Sequence, residues 1–242
     1  AQYFARLVIL GARHDKVVPT YELALANEER VVSCRVWYSN VNHTTELMPE
    51  IAASLQDHSI DVGSLEGVAV ALGPGGFSAL RVGMSVAKGL ALTGKTPLVG
   101  IGTLDLEAFP FIEPGRESGF SVCALLEAGR NELASAHFAP GGRRTREDII
   151  APLEEILESV TTPTLFCGEG VQGRIQEIQE RLGVLATVVQ PSAATRLWSL
   201  AALARQRLEA GLVDDLADLQ PYYLRMPSIG GPKTRDMKVQ SS

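Results

Sequence analysis

The chain has 242 residues, a formal net charge of −6 and 45 % hydrophobic residues, enough for one large domain or two small ones with real cores. No apolar run approaches the roughly 18 residues that cross a bilayer, the N-terminus lacks the pattern of a signal peptide, and the acidic balance argues against gripping a nucleic acid unaided, since that requires clustered Lys and Arg. Cys34, Cys123 and Cys167 are far apart with no C-x-x-C pair, which argues against a disulfide framework or zinc site and for a reducing, cytoplasmic location.

In chain order, apolar runs predict strands at about 6–10, 20–26, 30–37, 67–72, 97–101, 119–127, 133–139, 163–167 and 184–189. Helical periodicity predicts helices at about 43–57, 77–93, 103–109, 150–159, 171–182 and 193–211. Several strands come first, then helix and strand alternate, and then the scheme repeats. That order gives an α/β fold with mixed sheets and two similar halves. A hairpin around Ala26-Asn27-Glu28-Glu29 in the first half is matched by one around Ala128-Gly129-Arg130-Asn131 in the second.

The most informative segment is Gly73-Pro74-Gly75-Gly76, between a buried-strand pattern and a helix of small residues. Strand, glycine turn and helix N-terminus make a nest of backbone N–H groups that favours an anion. The loop is neither a Walker A loop nor a Rossmann fingerprint. Ser78 follows it, but Leu80 stands where a nucleophile elbow needs its second glycine, so Ser78 reads as a helix cap. His43 opens the first helix without a second histidine four residues on, since that position is Leu47; no metal site is expected there.

Two helices carry an excess of apolar and small residues. The first aligns Leu47, Met48, Ile51 and Leu55 on one stripe. The second spaces Gly83, Ala87 and Ala91 by four, with Leu80, Met84, Val86 and Leu90 around them, a pattern that lets another helix approach closely. Arg81 and Lys88 are its only cations. Glu127, Arg130 and Glu132 read as a solvated turn. Arg143, Arg144 and Arg146 form a locally basic stretch, read as a solvated loop before a helix near Asp148.

The wording GPGGFSALRVGMSVAKGLAL, followed by Pro97-Leu98-Val99-Gly100-Ile101-Gly102-Thr103-Leu104, resembles the TsaB (YeaZ) family, whose usual wording is close to GPGSFTGLRVG. Asn42-His43-Thr44-Thr45-Glu46-Leu47-Met48-Pro49, Glu127-Ala128-Gly129-Arg130-Asn131-Glu132, Cys167-Gly168-Glu169-Gly170 and Pro221-Tyr222-Tyr223-Leu224-Arg225 resemble further segments of that family, in the same order. The resemblance implies an actin-like (ASKHA) pair of ribonuclease-H-like halves, with mixed sheets flanked by helices. It implies a first half over residues 1–105 and a second over 106–227 whose last helix packs back on the first. The segment 228–242, with Gly230-Gly231-Pro232 and no apolar period, reads as a mobile tail.

The resemblance further implies a non-catalytic accessory subunit without a cofactor, which binds and activates a TsaD-type enzyme in N6-threonylcarbamoyladenosine modification of tRNA. A TsaE-type ATPase would join the pair, the isolated chain would form a homodimer, and tRNA would be met only through the complex, away from any membrane. The partner interface would use His43, Leu47, Met48, Ile51, Leu80, Arg81, Gly83, Met84, Ala87, Lys88 and Ala91. Gly73, Gly75, Gly76 and Ser78 would be a vestigial anion loop. The sequence departs from the family in one place. Members usually end their first strand in D-T-S, whereas Leu7-Val8-Ile9-Leu10 is followed here by Gly11-Ala12-Arg13-His14-Asp15-Lys16. Competing readings are a glycoprotease-like hydrolase, an actin-like ATPase, and a regulator that works only as a homodimer.

Overall fold

Each half of the fold is built on a hairpin whose first strand also pairs with a later, parallel strand. The structure, a computed structural model, describes residues 6–13, 20–27, 30–38, 43–190 and 192–225. Segment 228–242, His14 to Lys16 and Glu28–Glu29 lie outside these residues.

In the first half, β1 (Arg6–Arg13) pairs antiparallel with β2 (Thr20–Ala26), which pairs antiparallel with β3 (Val31–Tyr38). Helix α1 (His43–Asp57) leads to β4 (Val68–Gly73), parallel to β1; α2 (Phe77–Gly94) leads to β5 (Leu98–Gly102), parallel to β4. The sheet order is β3-β2-β1-β4-β5. After α3 (Thr103–Ser118), the second half repeats the scheme. It comprises β6 (Ser121–Gly129), β7 (Glu132–Phe138), β8 (Ile149–Ala151), α4 (Leu153–Glu158), β9 (Thr164–Cys167), α5 (Ile175–Leu182) and β10 (Ala186–Val188), in sheet order β10-β9-β6-β7-β8. Both sheets have two antiparallel and two parallel pairings in equivalent places. This is the actin-like pair of ribonuclease-H-like halves.

Burial explains the sequence patterns. The central strand β4 is apolar at consecutive positions because both of its faces are covered. Val68 and Val70 face α1 and α2, while Ala69 and Ala71 face the last helix, α6 (Ala193–Glu209). Helix α3 serves both sheets, with Leu106 in the first core and Leu104 and Ala108 in the second. Helices α4 and α5 cover the remaining face of the second sheet.

Three expected elements differ. The helix expected at 150–159 is a strand followed by a helix, because Pro152 keeps Ala151 extended and becomes the N-cap of α4. The helix expected to stop at 109 runs through Pro110 and Pro114 to Ser118. Phe111 and Ile112 pack against the second core and hold it. The helix expected from 171 begins at Ile175, after a 3-10 turn at Glu169–Val171. Among the described residues, no helix is long and apolar enough to cross a membrane.

Candidate functional site

The glycine loop leaves β4 at Gly73 and enters α2 at Phe77, with Gly76 as N-cap and no side-chain cap bond. Ser78 therefore does not cap this helix; it is an exposed residue one position inside it. Gly73 has φ +108°, and its N–H donates to Thr103 Oγ1 at 3.2 Å. A Cβ on Gly73 would lie 2.7 Å from the Tyr222 carbonyl oxygen and 2.8 Å from Leu80 Cδ1. So the close approach that glycine permits here is to the chain's own backbone, where the sequence suggested an anion. Tyr222 N–H donates to the Leu72 carbonyl at 2.7 Å. The Tyr223 ring packs on Phe77 at 5.1 Å, and the Arg81 guanidinium lies 4.7 Å from the Phe77 ring centre. Arg225 Nη2 reaches Glu132 Oε2 at 2.6 Å. Residues 221–225 thus form a strap from the glycine loop of one half to the β6–β7 hairpin of the other.

Beneath the strap is a cleft of about 300 Å³, whose walls include Gly75, Gly76, Phe77, Arg130, Ile150 and Tyr223. Glu127 also lines it but is held by a two-pronged ion pair with Arg174. Glu127 and Glu132 are therefore tied to arginines, not solvated as expected. The turn itself is Arg130-Asn131, with φ +54° and +61°. Such two-residue hairpin turns favour Asn-Gly, and holding arginine in the left-handed region costs about 1–2 kcal/mol.

The expected interface residues separate into two faces. Leu47, Ile51, Leu80, Gly83, Met84, Ala87 and Ala91 are buried inside this chain. All but Leu80 and Gly83 belong to the core that α1 and α2 share with the first sheet. The small-residue stripe is used within the chain, so Ala87, 0 % exposed, cannot touch a partner. The outward face carries Met48, Arg81 and, half-buried, Lys88, joined by Ser85, Gly89 and Leu92. His43 opens α1, and its side chain lies outside the description. The sequence pattern merged these faces because α2 is apolar over most of its circumference.

The basic stretch is also engaged within the chain. Arg144 pairs with Asp105 at 2.7 Å and with Asp148, and Arg146 donates to His137 Nε2; only Arg143 is exposed. Burial first, and then the Arg146 guanidinium, push the His137 imidazole down to about 4. The buried Cys123 thiol, 3.5 Å from the same nitrogen, is pushed up by burial.

One polar cluster escaped the sequence reading. Arg196 of α6, 5 % exposed, donates from Nε to Glu107 Oε1 at 2.7 Å, with Glu22 and Glu169 carboxylates 3.8 and 3.9 Å from its other nitrogens. Burial works against the guanidinium's charge, but Glu107, Glu22 and Glu169 outweigh it and raise its pKa. The cluster ties β2, α3, α6 and the turn after β9 together. A sequence signal existed: Arg196 adjoins the buried stripe Leu197, Leu200, Ala204, and Glu22 interrupts an apolar strand. Among the described residues, no group of three His, Cys, Asp or Glu could hold a metal ion.

A family described as "TsaD: tRNA N6-adenosine threonylcarbamoyltransferase" matches residues 38–219. The tRNA threonylcarbamoyladenosine biosynthesis protein TsaB of Bacillus subtilis (strain 168) is 26 % identical over 216 residues, covering 86 % of this chain and 90 % of that protein. The tRNA N6-adenosine threonylcarbamoyltransferase of Syntrophus aciditrophicus (strain SB) is 34 % identical over 116 residues, or 40 % of this chain. The chain spans about a third of that transferase, 34 % of its length. The solved structure of YeaZ from Pseudomonas aeruginosa superposes with a TM-score of 0.66 at 20 % identity, covering 91 % of this chain and 100 % of that one.

Proposed function

This chain belongs to the TsaB (YeaZ) family, within the broader TsaD-type family, and from that membership we propose that it acts as a non-catalytic accessory subunit in N6-threonylcarbamoyladenosine modification of tRNA. It binds a TsaD-type enzyme and raises its activity, a TsaE-type ATPase joins the pair, and tRNA contacts come from the partners. The observation that carries this reading is the outward face of α1 and α2. Met48 and Leu92 are 45 % and 71 % exposed, and Arg81, Ser85 and Leu92 follow one stripe of α2. Large apolar residues left exposed on two helices that touch, one of them on the same stripe as a cation, suit a protein partner. In the isolated chain, the same face pairs two copies. The glycine loop supports a non-catalytic role: no lysine lies in Gly73–Gly76, and the Tyr222 carbonyl stands against Gly73.

The test is Met48→Asp. A charge desolvated without a partner at the contact should weaken association at least about ten-fold, while the exposed site leaves melting within a few degrees of the parent. Pull-down titration with a TsaD-type enzyme and a tRNA-modification assay with a TsaE-type ATPase read both effects. A folded variant that associates and stimulates like the parent means the face is wrongly placed. Modification of tRNA by this chain alone overturns the accessory role.

A further inference from the structure

We propose that the open edge of the first sheet, strand β3, pairs antiparallel with β3 of a second copy of this chain, about a two-fold axis at Cys34. A sheet edge leaves backbone N–H and C=O groups unpaired, and proteins blunt such edges with short strands, charges or covering groups. Among the described residues, β3 is the edge that escapes this treatment. Strands β8 and β10, which end the second sheet, have 3 residues each. Strand β5 is covered: the Asp214 N–H donates to the Leu98 carbonyl at 2.9 Å, and the Asp214 carboxylate accepts the Gly100 N–H at 2.7 Å. Strand β3 is 8 residues long and pairs, among the described residues, with β2 alone.

The one charged side chain of β3 does not guard the edge. Arg35 is drawn onto α1 by Glu50 at 2.9 Å and Asp57 at 2.6 Å. On the opposite side of the sheet, Cys34 and Val36 are exposed. Trp198 of α6, 49 % exposed, shares a small hollow with Arg30 and Val31 where the strand begins. Apolar side chains therefore flank the edge at both ends. Charge then selects the register. With Cys34 opposite its own copy, Arg35 faces Ser33, Val36 faces Val32 and Trp37 faces Val31, so no like charges meet. An axis at Arg35 sets two guanidinium groups against each other, which destabilises a cross-strand pair. An axis at Ser33 shortens the overlap within β3. A bulge at Val32 twists the start of the strand, so Ser33, Cys34 and Arg35 carry the pairing. The contact uses none of Met48, Arg81, Ser85 and Leu92, so it goes beyond the accessory role and does not depend on it.

Charge exchange at the axis tests the assignment. Sedimentation velocity on the full chain, up to about 1 mM, should show dimers that grow with concentration. Cys34→Asp and Cys34→Lys each set like charges opposite one another, so each alone should associate several-fold more weakly than the parent. An equimolar mixture pairs opposite charges and should associate about ten-fold more tightly than either alone. The site is exposed, so both variants should melt within a few degrees of the parent. Val36→Lys charges the edge without touching the axis and should also weaken association, which keeps the test available if a variant at position 34 fails to fold. The same results are expected in a Met48→Asp background, so the edge and the α1–α2 face can fail separately. A parent chain that stays monomeric at about 1 mM overturns the proposal. So does a folded mixture that associates no better than its components, or a Val36→Lys chain in the Met48→Asp background that associates like its own parent.

Discussion

Replacing Arg196 with Met should strip the fold of its central tie. Met fills similar space but leaves Glu22, Glu107 and Glu169, each under 10 % exposed, facing one another without their cation. At an effective dielectric near 20, the lost attractions are about 6 kcal/mol for Glu107 at 2.7 Å and about 4 each for Glu22 and Glu169 at 3.8 and 3.9 Å. Desolvating the ions already offsets most of that sum in the parent, so the net loss is about 3–5 kcal/mol, the usual cost of removing one partner from a buried pair. For a chain of this size, that corresponds to a fall of about 6–20 °C in melting temperature. Circular dichroism melts at pH 7 measure it. Arg196→Lys keeps the charge but loses the planar fork, so it should fall between parent and Met. A Met variant melting within about 2 °C of the parent would refute the reasoning, because the carboxylates would then be satisfied without the arginine.

Gly73→Ala should cost about 1–3 kcal/mol in denaturant melts, since the new methyl meets the Tyr222 carbonyl at 2.7 Å and φ is +108°; faster proteolysis after Arg225 should accompany it, and a variant as stable and protected as the parent would count against the strap. His137 gives a pH signature. Its folded value of about 4 lies below the unfolded value near 6.5, so its full contribution is present above about pH 6.5 and is lost as pH falls towards 4. The loss is about 2–3 kcal/mol, and the difference in stability between parent and His137→Gln should narrow over that window; a pH-independent difference would show the imidazole titrating normally.

The local signals that sequence carries well were those tied to one period or one turn. Continuous apolar runs located β4 and β5 because both faces of these strands are covered. The hairpin at Arg130-Asn131 was legible because two continuous apolar runs, buried at consecutive positions, flank a short polar turn. What sequence could not separate was direction. Helix α2 is apolar on its core side, carries half-buried Val82 and Val86 packed against that core, and exposes Leu92, so its buried and outward residues looked alike until the first sheet and α1 were in place. Contacts between distant segments were hidden for a different reason. The Arg196 cluster gathers residues 22, 107, 169 and 196, and the strap joins 222 to 72. No local spacing encodes such pairs. Pro152 misled in the opposite sense, since a helix-start signal was read as lying within a helix.

The position of α6 sets an order of events during synthesis. One face of the first sheet, with Ala24, Ala69, Ala71, Val99 and Ile101, is covered by Leu197, Leu200 and Ala204. The first sheet's last strand ends at Gly102, but its cover begins at Ala193. At about 5–20 residues per second, the ribosome needs roughly 5–20 s to make the intervening 90 or so residues. For that interval the amino-terminal half has all of its strands and an open apolar face. It cannot finish folding as an independent unit, and a nascent chain halted before α6 should recruit chaperones or aggregate, whereas one released after Glu209 has its cover to hand.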